Sequence, residues 1–561
     1  MISLETIKIL LAFPFFIFTF FISSFLTKNY NEKISINFLY FLILLTTFVE
    51  FYFAGIHNSI EWLTVLEIPI ILRDFDNNLL NGDLYTDLSY FSPKIIFAKI
   101  IHFLSIIFFL NIENTLYLLK LILIIINPLI IFKILTSFSS KNNYYLFNNS
   151  PIIQAISASF ALGFLEFLQY YSSLGWESFS QWDFINHMSL ANTIGLIAIH
   201  IFQLRGLRSL LGLIILSLAT LIHPLSGIIN FVVIFLLLNK NFNAIKDLKY
   251  LLNLQKIKIF FFSIFLPCIL LTYIFKTESG ISDTELIHIY AYERHPHHYL
   301  VSSFFNLSSI IWLILPLFLI IISLIENIKK LFIYSSIFFI FFPACILLQY
   351  YFTEINPVSY LIVTIGPTRF ITHSLFIYTI LFCIYLNKYK VKSFNINKST
   401  NIIITFNKFK NSIFILIMLI ALLFLFIIKK PILYKDQYSN EILNFFTFNS
   451  NPNSIIFSDK KSEWLLSFIR VNPMRRIFSD NAFIFNESAI PKWNKRRKIA
   501  DEIRKKINNN DLKSLCNMKK LNINYFIFDN SNNLRSYNNN IIVFRNNIYS
   551  VIDIDSDNIK C

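Results

Sequence analysis

The chain has 561 residues, is 55% hydrophobic, has a mean hydropathy of +0.59 and carries a formal net charge of +16. This excludes an ordinary water-soluble globular protein, because apolar stretches of about 18 residues or more need lipid. The excess charge does not point to nucleic acid, and no such partner is expected, because most lysines sit in short loops beside apolar segments, where they set orientation.

About twelve transmembrane helices are predicted, over 7–27, 35–56, 113–136, 151–171, 187–204, 208–223, 224–238, 258–275, 302–326, 331–352, 368–387 and 411–428. The segment 93–110 is apolar but holds Lys94, Lys99 and His102, and reads as a helix lying at or dipping into the interface. With that segment uncrossed, the lysine clusters at 28–33, 133–141, 240–258, 329–330 and 388–398 face the cytoplasm, together with Arg205 and Arg208. The loops 57–92, 172–186, 276–301 and 353–367 and the tail then lie on the other side. The organisation is a transmembrane domain over 1–430 and a soluble extracytoplasmic α/β domain over 431–561, in a multi-pass protein of the plasma (inner) membrane.

The first outer loop gathers Glu61, Glu67, Arg73, Asp74, Asp76, Asp83 and Asp87. Carboxylates at this density beside a membrane can hold a divalent cation or take a proton from a hydroxyl, and an acidic loop that merely obeys topology is the competing reading. The second outer loop carries Trp176, Glu177, Trp182, Asp183 and His187, most simply an aromatic belt with one structural Asp–His pair. The third holds His288, Glu293, Arg294, His295, His297 and His298. Phosphate or glycan contact through Arg294 and a histidine is favoured there over a tightly bound metal, because guanidinium is a planar bidentate donor. His223 precedes Pro224 at a helix break, and Arg369 begins a span where it can meet an anionic headgroup.

In the tail, short β-rich runs at 454–458, 476–479, 523–528, 541–544 and 549–554 flank a helical pattern over 491–508. Each of Asp459, Asp480 and Asp529 follows a β run, as strand-end chemistry also would have it. Five cysteines are scattered. Only Cys516 and Cys561 are placed to pair, and a bond between them is not expected. No Gly-rich phosphate loop, nucleophile elbow or kinase signature is present in the sequence.

An acidic outer loop, an interfacial helix behind it, many spans and a C-terminal α/β domain together resemble the GT-C superfamily of membrane glycosyltransferases. Arg294-His295-Pro296-His297-His298-Tyr299, Leu221-Ile222-His223-Pro224 and the segment 480–496 are similar to an uncharacterised bacterial family of polytopic membrane proteins. The resemblance implies a GT-C-like fold and transfer of a sugar from a polyprenyl-phosphate carrier to an acceptor on the outer face. Asp74 or Asp76 would be the base, alone or with a divalent cation (Mg or Mn), with Glu61 and Glu67 competing for the role. Arg73, Asp83, His223, Arg294, His295, His297, His298 and Arg369 would contact substrate. The alternative is a non-catalytic assembly or transport component of envelope polysaccharide synthesis. A solute transporter would place charges deep in spans, where only Lys120 and Glu166 stand out.

Overall fold

In the computed structural model, the structure describes residues 62–90, 94–141, 186–237, 254–275, 280–294, 296–304, 329–368, 437–479, 487–508, 513–531 and 541–557, with a few single positions between and after them. The expected spans at 7–27, 35–56, 151–171 and 411–428 lie outside these residues, as do most of 302–326 and all but the first residue of 368–387.

Helix α1 (Trp62–Phe75) ends in a turn closed by Asp76, whose Oδ1 accepts the Asn78 N–H at 2.9 Å. Gly82 follows at φ +86°, a conformation that favours glycine. Helix α2 (Leu84–Tyr90) leads to α3 (Lys94–Phe108), which buries Phe97, Ala98 and Ile101 and exposes Phe103, Ile106, Ile107 and Phe108. Apolar groups in both directions suit a helix whose outer side meets lipid. Helix α4 (Ile112–Lys141) starts after a bend of 102°.

Helix α5 (His187–Arg205) begins with a capping box in which Asn186 and Ser189 satisfy each other's backbone N–H. Ser209 caps α6 (Leu210–Ile222), which stops at His223 because Pro224 opens the next helix, α7 (Pro224–Leu237). Gly195 of α5 lies where any β-carbon would collide with Asn230 of α7, so the missing side chain lets these helices approach. Helix α8 runs from Leu254 to Phe275 through one π-type turn, and α9 (Lys329–Tyr350) contains Pro343.

The expectation of about twelve membrane spans is corrected by these lengths. Among the described residues two helices, His187–Arg205 and Gln255–Ile274, are long and apolar enough to cross a bilayer, or three if α3 and the start of α4 count as one bent span. The physical reason is plain in α6 and α7, where 13 and 14 residues fall short of the roughly 20 that a hydrocarbon core requires. Apolar composition alone did not separate short packed helices from crossing ones.

The tail opens with α10 (Gln437–Asn449) and continues as β1 (Ile455–Ser458), α11 (Glu463–Val471), β2 (Arg476–Ile477), α12 (Ala489–Asn508), α13 (Lys513–Lys520), β3 (Tyr525–Asp529), β4 (Ile542–Arg545) and β5 (Tyr549–Asp553). The mixed sheet has the order β2-β1-β3-β5-β4, parallel through β2, β1 and β3 and antiparallel beyond. The first crossover leaves β1 for β2 and the second returns past β1 to β3, so right-handed connections put α11 and α12 on opposite faces. Phe457, Phe526, Phe528 and Ile552 accordingly meet Ala500, Ile503, Ile507, Leu515 and Met518 from α12 and α13. On the other face Tyr525 packs against Phe446 of α10.

Contrary to the sequence expectation, Cys516 and Cys561 form a disulfide with their Cα atoms 5.5 Å apart. The bond fastens the chain's last described residue to α13, a proximity that spacing of 45 residues does not reveal.

Two compact units emerge. One holds the described parts of 118–270 and 290–430, and the other holds 58–117, 271–289 and 431–561. The first outer loop and the tail therefore belong to one folded body.

Candidate functional site

Helices α1 and α3 pack side by side, and two polar rungs join them. Glu67 pairs with Lys94 at 3.2 Å, and seven residues later Asp74 pairs with His102, so the helices run parallel. The first rung is buried on both sides, and the Lys94 Nζ also reaches the Tyr85 hydroxyl at 3.5 Å. Burial pushes the Tyr85 phenol up from its ordinary range, so it stays protonated.

The second rung reaches the surface. The Asp74 Oδ2 lies 2.7 Å from His102 Nδ1, and its Oδ1 accepts from Lys99 Nζ at 3.0 Å. Side-chain exposure rises from 6% at Asp74 to 26% at His102 and 63% at Lys99, so the carboxylate sits behind the imidazole. Burial works against the Asp74 charge, but hydrogen bonds from His102 and Lys99 outweigh it and hold the carboxyl below its usual range. A carboxylate at Nδ1 fixes the tautomer in which Nδ1 carries the proton and Nε2 offers its lone pair. The Phe75 ring lies 3.8 Å from the imidazole by centroid and fixes its plane from one side.

The other predicted residues of this loop have structural partners. Asp76 is exposed and closes its turn. Arg73 reaches Asp87 at 2.8 Å and the Leu79 carbonyl at 3.3 Å, while Asp87 also accepts from the Gly82 N–H. Asp83 is fully buried and accepts from Arg470 Nε, the Thr86 N–H and hydroxyl, and the Ile477 N–H. Its assigned contact with substrate is not what this geometry offers, since every direction to the carboxylate is filled by protein donors.

In the other unit, His223 lies between α6 and α7. Its Nδ1 accepts the Ser226 N–H at 3.2 Å and lies 2.7 Å from the Ser226 hydroxyl, and its ring stands 5.3 Å from that of His187. Arg294 ends a π-type turn, His288–Arg294, and His297 and His298 fall on the short turn Pro296–Tyr299. His295 and Arg369 lie outside the described residues.

His102 and Lys99 are functional candidates that sequence reasoning took only as marks of an interfacial helix. Their spacing of three on an apolar helix was the available signal, because it sets both on one face. No family model matches the chain, and none of the curated proteins compared with it matches either.

A divalent cation finds no ready set of donors in this loop. The Asp74 carboxylate has both oxygens taken, by His102 and by Lys99, Asp83 is filled, Asp87 pairs with Arg73 and Asp76 stands apart. Among the described residues no three of His, Cys, Asp and Glu converge on one point. No chemical step is therefore routed through a metal.

Proposed function

We propose that the protein is a membrane-bound transferase that moves a sugar from a polyprenyl-phosphate carrier to an acceptor hydroxyl on the outer face, with Asp74 and His102 as its proton-accepting pair. The single observation that carries this reading is the 2.7 Å contact between Asp74 and a partly exposed His102. In this reading His102 Nε2 takes the acceptor hydroxyl proton as the oxygen attacks the sugar. Asp74 holds the ring and stabilises the imidazolium that forms. Lys99 adds positive charge beside the departing phosphate, where negative charge develops.

The surroundings support a lipid-borne donor. One residue beyond His102 the outer side of α3 becomes apolar, with Phe103 62% and Ile106 59% exposed. A carrier tail would lie along such a surface while its phosphate reaches the polar rung. The disulfide in the tail supports an extracytoplasmic location for this unit, since such bonds persist in oxidising compartments.

The experiment is turnover of a polyprenyl-phosphate sugar by full-length protein in nanodiscs. Replacing His102 with Asn should cut turnover about 10²-fold or more, while the protein still folds cooperatively with a modestly lower melting temperature. Full turnover in this variant would remove the proposed base and favour the second reading, a non-catalytic assembly component in which Lys99 and His102 merely neutralise Asp74.

A further inference from the structure

The α12–α13 layer of the tail divides its charges unevenly. Arg497 and Arg504 turn toward the domain and meet Glu463 and Asp501, so those two acids are committed to inward partners. The outward side of α12 exposes Lys492, Lys495, Lys498, Lys505 and Lys506, with Glu502 the one other exposed charge beside Asp501. Lys513 and Lys520 extend the same sign onto α13. Lys492, Lys495 and Lys498 are like charges three apart and repel, so helix stability does not explain that half of the stripe, whereas Lys505 and Lys506 in the last turn suit the helix dipole and Glu502.

We propose that this face binds an acidic glycan, a polysaccharide that carries carboxylate or phosphate groups along its length. From Lys492 to Lys506 the stripe runs about 21 Å at the helical rise, a line of cations suited to a repeating anion more than to one small ion. Two observations narrow the partner. The bond between Cys516 and Cys561 fixes α13 itself, which fits an oxidising compartment where polymeric anions are glycans, and nucleic acid is not the expected ligand. The stripe also lies on the sheet face opposite α11, and α11 is the tail helix that packs against α1. The sheet thus lies between the basic stripe and the α11 side that packs on α1, and a lysine line on this separate face favours a polymer in solution over bilayer headgroups. The proposal is independent of glycosyl transfer, because it is read by binding alone.

The test uses the full chain in nanodiscs of zwitterionic lipid, titrated with polygalacturonate and with neutral dextran of similar length. Polygalacturonate should bind and dextran should not, and affinity should fall at least about tenfold between about 50 and 200 mM salt. Substituting Lys492, Lys495, Lys498, Lys505 and Lys506 by Gln should weaken binding about tenfold or more, whereas Lys461→Gln, elsewhere on the tail, should not. If the fivefold variant melts early, the pair Lys495→Gln and Lys505→Gln is read in its place and should show a smaller loss in the same direction. Undiminished binding by the folded variants would overturn the proposal. So would equal binding of dextran, or tighter binding of duplex DNA or phosphatidylglycerol vesicles than of polygalacturonate.

Discussion

Arg470 directs its Nε at both carboxylate oxygens of Asp83, at 3.0 and 3.2 Å, across 387 positions of chain. Both side chains are almost wholly buried, and the guanidinium also lies over the Tyr85 ring at 4.9 Å. The contact ties the acidic loop after α1 to the tail within one folded body. Removing one member leaves an unpaired buried charge, which costs roughly 3–5 kcal/mol. Arg470→Met should therefore lower the melting temperature clearly, and Asp83→Leu with Arg470→Met should restore part of the loss. Thermal unfolding of the solubilised protein checks this, and an unchanged melting temperature for Arg470→Met would deny the contact.

The rung beneath the candidate site makes a second prediction. Glu67 and Lys94 are 4% and 7% exposed, so each depends on the other. Lys94→Met alone should destabilise by about 3 kcal/mol or more, and adding Glu67→Gln should cost much less than the sum of the single changes. A double-mutant cycle on stability reads the coupling, and additive losses would mean that the two charges do not interact.

The disulfide predicts a redox-dependent tail. Closing a loop of 45 residues corresponds to about 4 kcal/mol in the chain-entropy account. Cys516→Ser, or treatment with reductant, should lower the stability of the tail by an amount of that order. Alkylation of denatured, unreduced protein should modify Cys268, Cys345 and Cys383 and spare Cys516 and Cys561. Alkylation of all five cysteines in protein from its native compartment would place the tail in a reducing one.

Asp74 gives the acid side of the profile a sign. Its carboxyl is depressed in the folded protein because His102 and Lys99 outweigh the opposing effect of burial. Its stabilising contribution is therefore complete above the ordinary carboxylate range and is lost as pH falls through the lowered folded value. Stability measured on acidification should fall more steeply in the wild type than in Asp74→Asn. Parallel acid limbs in the two proteins would contradict the pairing.

Parts of this structure were legible in the chain. The tail strands follow continuous runs of β-branched and aromatic residues such as Ile455–Ser458 and Tyr525–Asp529, where strand preference is a local property. Asp74 was singled out because carboxylates cluster visibly in one loop. Its partner was not, since His102 lies 28 residues away and a pairing across two helices leaves no local mark. Asp83 misled for the same reason, because its burial depends on Arg470 and on the Ile477 N–H, neither of which its neighbours predict. The number of spans was misread because hydropathy measures composition, whereas crossing a bilayer also demands length that α6 and α7 lack.

The most direct measurement is a double-mutant cycle on turnover of a polyprenyl-phosphate sugar, with Asp74→Asn, His102→Asn and both together in full-length protein. If Asp74 acts through His102, each single change is severe and the double variant is about as slow as His102→Asn, since residues working as a unit are not additive. Turnover that survives His102→Asn, or losses that simply multiply, would contradict a carboxylate and imidazole working as one base.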